Sequence, residues 1–291
     1  MPQVFLTLGA FPADSAAGMR SILLFGASGA VGRLLLPLLP AAYYKVWPVS
    51  REARAGWIAG DLDDVRVEWP AADIVISLGP LDAFAAWAER QPHPSRRVIA
   101  LSSMSAETKA LSPDPAERAL AERLRTAEAR LFDASAVRGS ACTVFRPTLI
   151  YGAGIDRSLA PIVRFARRWH VLPMPLGACG LRQPVHAADL ADACAAAIDN
   201  ANTYGKTYPL GGGERLPFAA LLWRLRAAQY GFALPVPLPI PLFRLAGISP
   251  GVLARLREPL IADNGPAMRD FGYAPRGFIA VDVLPDAADA R

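Results

Sequence analysis

The 291-residue chain has few lysines, few cysteines and no long unbroken apolar run, and each shortage narrows what it can be. Lys45, Lys109 and Lys206 are the only lysines, so arginine supplies nearly all the positive charge. Arginine's planar fork suits phosphate recognition, although heavy arginine use also follows from a GC-rich genome. The net charge of +5 is dispersed, and no basic run is interleaved with aromatics. Nucleic acid is therefore not an expected partner. Cys142, Cys179 and Cys194 are odd in number and lack metal-ligand spacing, so no metal site is readable. Cys142 lies in a strand-like run and Cys194 in a helix-like one, as core thiols of a reducing, cytoplasmic compartment would.

No run of 18 apolar residues occurs, so no transmembrane segment is expected. The nearest candidate, Phe232 to Gly247, is broken by Pro235, Pro237, Pro239 and Pro241 and carries Arg244. Residues 1–18 include an apolar stretch without the basic start of a secretory signal. They read as a disordered extension, or translation starts at Met19.

What remains is a globular composition, 53% hydrophobic and 20% charged, long enough to bury a substantial core. Short apolar runs alternate with helical segments through the first half, which predicts a parallel sheet covered by helices on both faces. Strands are expected in SILLFGASG, YYKVWPVSR, WIAGDL, ADIVISLGP, RVIALSSMS and ACTVFRPTLIYG, with a helix VGRLLLPLL ending near Pro40. In PAERALAERLRTAEARLFDAS, Ala119, Leu120, Leu124, Ala127 and Leu131 recur at helical spacing, with arginines and glutamates opposite. The remainder offers the helix AADLADACAAAIDN, a Gly-rich turn at Gly211 to Gly213, a helix around LLWRLRAAQ and the proline-rich segment. The predicted fold is α/β: a Rossmann-type doubly wound parallel sheet over residues 19–175. Residues 176–291 form mainly a smaller substrate lobe, partly interleaved with it.

The run Gly26-Ala27-Ser28-Gly29-Ala30-Val31-Gly32 follows a strand and opens a helix. Gly26 permits the tight turn, Gly29 lets backbone approach a pyrophosphate, and Gly32 lets the helix pack on the strand. The helix start, with Ser28, Ala30 and Val31, offers N–H groups to phosphates. A nicotinamide dinucleotide is the expected ligand. At the end of the second strand stands Val49-Ser50-Arg51, where an acid would favour NAD and an arginine the 2′-phosphate of NADP. NADP is expected over NAD, although Glu52 follows directly. Asp61 and Leu62, after the third strand, are placed to meet the adenine.

These motifs, with SLGP after the fourth strand, LSSMS after the fifth and RPTLIYG after the sixth, resemble extended or atypical short-chain dehydrogenases/reductases. The resemblance is closest to the NAD-dependent epimerase/dehydratase group acting on nucleotide sugars. It covers about residues 20 to 275, including LRQPVHAADLADA and DNGPAMRDFGYAPRGF. It implies that Ser77, Leu78 and Gly79 line the cofactor ribose and that Pro147, Thr148 and Leu149 lie beside the nicotinamide. It also implies that Ser102 and Ser103 supply the substrate-steadying serine and that Arg182 holds a substrate diphosphate. His186 and Asp189 read first as residues that begin a helix.

The family's acid/base tyrosine, with a lysine four residues on, is missing: no Tyr-x-x-x-Lys occurs. Aligning the long helix on Glu128 puts Leu120 and Leu124 at the dyad positions. Three readings survive. The chain is an NADP-dependent oxidoreductase or epimerase/dehydratase-like enzyme of a nucleotide sugar or related metabolite, with an altered site of Ser103, Lys109 and an acid such as Tyr151. Alternatively it is a non-catalytic dinucleotide-binding regulator or scaffold. A weaker third is a reductase of a hydrophobic membrane-derived alcohol or ketone, entered by the proline-rich lobe. A homodimer is left open, as is peripheral membrane contact through Arg164, Arg167 and Arg168.

Overall fold

A computed structural model describes residues 18–91, 93–152, 159–228, 233–245, 253 and 256–283. The expected N-terminal extension lies, apart from Gly18, outside these residues. Seven strands form one sheet in the order β3 (Ile58–Ala59), β2 (Tyr44–Ser50), β1 (Arg20–Phe25), β4 (Ile74–Ser77), β5 (Arg97–Leu101), β6 (Ala141–Pro147) and β11 (Lys206–Leu210). Every neighbouring pair is parallel. The doubly wound sheet expected from the alternating pattern is therefore present.

Strands buried on both faces read as near-continuous apolar runs, and β4 and β5 are buried throughout, polar only at Ser77 and Arg97. Alternation then divides their side chains between two cores. Ile22, Leu24, Ile74, Ile76, Ile99 and Phe145 join the core under α1 (Ala30–Leu35) and α6 (Ala187–Ala197). Leu23, Phe25, Val75, Val98 and Val144 join the opposite core, under α2 (Leu81–Arg90) and α4 (Pro115–Val137). Cys142 and Cys194 are buried, and burial pushes their thiols up to about 11 and about 12. Cys179 is exposed.

A third core holds the C-terminal lobe, around Tyr151, Leu159, Val163, Leu172, Leu221 and Leu225. Its elements include β7 (Ile150–Tyr151), α5 (Ala160–Trp169), β8 (Val171–Leu176), β9 (Leu181–Arg182), β10 (Val185–His186), β12 (Leu216–Pro217), α7 (Phe218–Ala228), β13 (Leu234–Pro239) and α8 (Ile240–Leu245). Strands β8 and β13 make a parallel two-stranded ribbon. Pro235, Pro237 and Pro239 share one parity of β13, and Pro173 and Pro175 one parity of β8. The bonded parity of β13 is the other one, since the Leu234 N–H donates to the His170 carbonyl at 2.8 Å. Proline at every outward position of β13, and at two of the three of β8, removes the donors by which another strand would pair. Among the described residues, no helix is long and apolar enough to cross a membrane.

Three expectations needed correction. A seventh strand, β11, occupies the segment before Gly211, where only a turn was expected. Its signal was weakened by Pro209, which an edge strand tolerates. The first helix stops at Leu35 and tightens into a 3₁₀ turn over Leu36–Leu38, because Pro37 cannot continue it. On α4, Ala127 and Leu131 are buried but Ala119 is exposed, and the buried face also contains Glu117, Ala121, Glu128 and Ser135. Two glutamates face inward because each finds a partner there, as described below.

At the amino ends of the strands, Arg97 is 3% exposed and ties three elements together. Its guanidinium donates to the carbonyls of Ala197, Ala141 and Val98, at 2.8, 2.9 and 3.3 Å. It also donates to the hydroxyls of Thr143 and Thr203, at 2.7 and 2.8 Å. A buried charge is tolerable when its donors are matched in this way. Arg97→Met leaves those carbonyls unpaired, and an expected loss of about 3 kcal/mol or more is checked by urea denaturation. A loss below about 1 kcal/mol would show that water replaces the guanidinium.

Candidate functional site

In a parallel sheet all the carboxyl ends lie along one edge. Neighbouring strands are about 4.8 Å apart, so the ends of β2, β1, β4, β5 and β6 span roughly 20 Å. Along that row stand Ser50-Arg51, the glycine turn, Ser77 to Gly79, Ser102-Ser103 and Pro147 to Leu149. The chain order reverses between β1 and β4, the place where doubly wound sheets open a crevice.

The glycine turn is determined by close contact. Gly26 has φ +75°, and a Cβ there would lie 3.0 Å from the Leu78 carbonyl carbon. A Cβ on Gly32 would lie 2.4 Å from the Gly26 oxygen and 2.6 Å from Ala27 Cα. Gly29 closes the turn by donating to the Gly26 carbonyl at 3.0 Å and precedes the first residue of α1. Arg33 Nε holds the Ser28 carbonyl at 2.9 Å. Val31 is buried, whereas Ser28, Gly29 and Ala30 are half-buried.

Around this turn, Ser50 is buried, and its hydroxyl accepts from the Glu52 N–H at 3.2 Å. Arg51 is exposed. Glu52 faces Arg54 at 3.4 Å, and the Arg54 guanidinium lies 5.2 Å from the Trp57 ring centre. Asp61 is exposed and caps its own turn through the Asp63 N–H at 3.2 Å, while Leu62 is buried. Ser77 Oγ is buried with no hydrogen-bond partner in the structure. Gly79 has open space where a Cβ would be.

Beyond β5 and β6 lies a cleft of about 440 Å³. Ser103, Thr108, Lys109, Pro147, Thr148, Leu149 and Arg182 line it, with Phe218, Leu256, Glu258, Pro259 and Leu260 on the lobe side. Ser103 Oγ accepts the Ser105 N–H at 3.1 Å. Lys109 reaches Glu117 at 3.7 Å, and Glu117 accepts from the Ser112 hydroxyl at 2.7 Å. Thr108 and Thr148 spend their hydroxyl protons on the carbonyls of Met104 and Gln183. Arg182 is buried, donates to the Glu258 carbonyl at 2.7 Å and stacks 5.4 Å from the Phe218 ring centre.

The two neighbouring serines take different roles. Ser102 donates to Glu128, which Arg146 grips with two nitrogens, its Nε at 2.9 Å, and Arg146 also reaches Glu107. This network binds the tip of β5 to β6 and α4. Ser102 is not among the residues that line the cleft, whereas Ser103 is.

Tyr151 is not brought to the cleft. It is fully buried, donates to the Gly277 carbonyl at 3.3 Å and accepts the Ile279 N–H at 3.1 Å. Its ring stands edge-on to His186 and Phe278, and burial pushes its hydroxyl up to about 12. The expectation that it joins Ser103 and Lys109 is corrected: the β7–β10 pairing turns it into the lobe core. Leu120 and Leu124 are half-buried on α4. His186 caps α6 by accepting the Ala188 N–H at 3.1 Å, and Asp189 is buried against Arg276 at 2.7 Å. The cleft wall at 256–260 and the Lys109–Glu117 pair escaped the sequence reading, because no local pattern announces contacts between distant segments.

No protein-family model matches the chain. Over 160 residues, 46% of the chain, it is 30% identical to the mitochondrial NADH dehydrogenase (ubiquinone) 1 alpha subcomplex subunit 9 of Arabidopsis thaliana. That match spans 38% of the relative's own length. Among solved structures, the UDP-glucuronic acid 4-epimerase of Bacillus cereus in complex with NAD superposes with a TM-score of 0.68. It is 15% identical, and the match covers 92% of this chain and 97% of the epimerase. A human epimerase family protein with NADPH gives a TM-score of 0.66 at 17% identity, over 93% of this chain and 100% of that protein. The chain therefore has the fold of the NAD(P)-dependent epimerases and extended short-chain dehydrogenases/reductases, and the resemblance drawn from its motifs is borne out.

A methyl group at position 32 must displace backbone. Gly32→Ala is expected to destabilise the protein by about 1–3 kcal/mol, read as a lowered melting temperature. An unchanged melting temperature would mean that the turn relaxes freely.

Proposed function

We propose that the chain binds a nicotinamide dinucleotide along the carboxyl edge of its sheet, NADP in preference to NAD. We further propose that it acts there on a small molecule such as a nucleotide sugar, as an oxidoreductase or epimerase/dehydratase-like enzyme. The glycine turn carries this reading. Three glycines bring backbone, uncovered by side chains, to the start of a helix beside the end of β4, and Ser77 Oγ is buried there without a partner. The residues present fit the group. Gly26, Ser28, Gly29, Ala30, Val31 and Gly32 would hold the pyrophosphate, Ser50 and Arg51 the 2′-phosphate, and Asp61 and Leu62 the adenine side. Ser77, Leu78 and Gly79 would meet the ribose, and Pro147, Thr148 and Leu149 the nicotinamide. The names of the structural neighbours, one with NAD and one with NADPH, support a dinucleotide without choosing between the two.

When bound, the dinucleotide supplies hydride exchange. The chain's own residues supply position and protons. Ser103 accepts a backbone N–H and so points its own proton elsewhere, toward a substrate oxygen in the cleft. Lys109 presents an ammonium at the same wall, anchored by Glu117, and would stabilise charge on that oxygen. Arg182 would meet an anionic group of the substrate from the lobe side, its stacked guanidinium suited to a phosphate. In this proposal residues 19–175 hold the cofactor and 176–291 mainly the substrate.

A second reading, a non-catalytic dinucleotide-binding subunit, is favoured by one observation: no tyrosine is among the cleft-lining residues. The partial relative is named as a subunit of NADH dehydrogenase, which agrees with that reading.

Fluorescence titration is expected to show NADPH binding tighter than NADH. Arg51→Ala should weaken NADPH about tenfold, the worth of one charge-assisted hydrogen bond, and leave NADH unchanged. Equal affinities for the unmodified protein would refute the NADP preference. For catalysis, nucleotide sugars are screened by thermal shift on the NADPH-loaded protein. With one that stabilises it, Ser103→Ala and Lys109→Met should each slow turnover roughly a hundredfold. Stabilisation by NADPH with none by any sugar favours the non-catalytic reading.

A further inference from the structure

Charge is distributed unevenly in this chain. Residues 157–188 and 215–257 contain no aspartate or glutamate, yet carry five and six arginines. These two segments build α5, β8, α7, β13 and α8, most of the C-terminal lobe. Arg224 is matched by Glu214, just before the second segment, and elsewhere arginines face carboxylates, as in Arg123–Asp82, Arg130–Glu89 and Arg66–Asp64. Arg164 and Arg168 on α5 are exposed, and among the described residues no carboxylate pairs with either.

The same elements expose large apolar side chains. Phe165 and Trp169, one helical turn apart on α5, are 46% and 61% exposed, and Arg168 lies 5.2 Å from the Trp169 ring centre. Helix α5 leads through His170 directly into β8, whose register with β13 runs from Val171↔Leu234 to Leu176↔Pro239. That ribbon is about 17 Å long, and it continues into α8. Leu234, at one end, is 50% exposed and Leu242, just beyond the other, is 46% exposed, while Leu176 is 53% exposed on the opposite face of the ribbon from Leu234. Neither 159–176 nor 233–245 contains a serine, threonine, asparagine or glutamine.

We propose that this face, α5 with the proline ribbon and the start of α8, docks on an anionic lipid bilayer. Aromatic and leucine side chains beside Arg164 and Arg168, with no carboxylate, serine, threonine, asparagine or glutamine in these segments, make an interfacial surface: apolar groups enter the headgroup boundary while guanidinium groups meet lipid phosphates. A nucleic acid would call on a denser row of cations, one for each phosphate it neutralises, and would leave Phe165 and Leu242 without an apolar partner. The prolines keep the ribbon from adding a strand of another copy. This inference is independent of the cofactor reading.

The test is co-sedimentation of the full chain with phosphatidylcholine vesicles, pure or mixed with phosphatidylglycerol, at low and high salt. Binding is expected to the mixed vesicles only and to be released by salt. Arg164→Gln and Arg168→Gln should each weaken it roughly fivefold. The double variant Phe165→Ser, Trp169→Ser should abolish it with circular dichroism and melting temperature unchanged. Binding to neither vesicle, or equally to both, overturns the proposal. So does a concentration-dependent dimer dissolved by the same double variant without any vesicle binding, which would make a second copy the occupant. The salt series on the unmodified protein decides the matter even if a variant misfolds.

Discussion

The contact on which the site's geometry depends is the approach of Gly32 to the backbone at Gly26 and Ala27. A methyl group placed there would sit within 2.4 Å of an oxygen. Only a residue without a side chain lets α1 begin directly over the turn that ends β1, and that start fixes where α1 lies on the sheet. Ala27, Val31 and Leu35 then join Ile22, Leu24 and Ile74 in a core shared with α6. One close contact between backbones thus sets both the packing of one layer and the exposure of peptide groups at the carboxyl edge.

The edge is held in register by buried polar networks at both ends of the strands. Arg97 fastens the amino ends of β5 and β6 to the end of α6, with its donors matched to carbonyls and threonine hydroxyls. At the carboxyl ends, Glu128 and Arg146 fasten the tip of β5 to α4 and β6. A buried carboxylate is tolerable only with such partners. One consequence is chemical: with Ser102 engaged by Glu128, Ser103 is the serine that lines the cleft. A network that serves stability also selects which hydroxyl faces the cleft.

The features legible in the sequence were those encoded locally. The glycine spacing, the buried strands and the capping position of His186 each depend on residues within a few positions of one another. What escaped depends on distance in the chain. Strand β11 carries Pro209 and has a partner on one side only, so its local signal is weak. Tyr151 looked available because it follows a strand at the active edge, yet its fate is decided by contacts with Gly277 and Ile279, more than 120 residues away. The polar face of α4 was misjudged for the same reason, since Glu117 and Glu128 are buried by partners that no periodicity reveals.

The cleft and the lobe surface pose one electrostatic question. The chain holds no Tyr-x-x-x-Lys, the pair in which a lysine sets the acidity of a tyrosine proton donor. Lys109 stands instead in the turn after a short helix, against Glu117, and Arg164 and Arg168 on the lobe have no carboxylate partner among the described residues. Lys109 and Arg182 line the cleft from distant segments of the chain, so two cations bound one cavity whose walls also include Leu149, Leu256 and Leu260, and a charge held between apolar walls acts more strongly than one in open water.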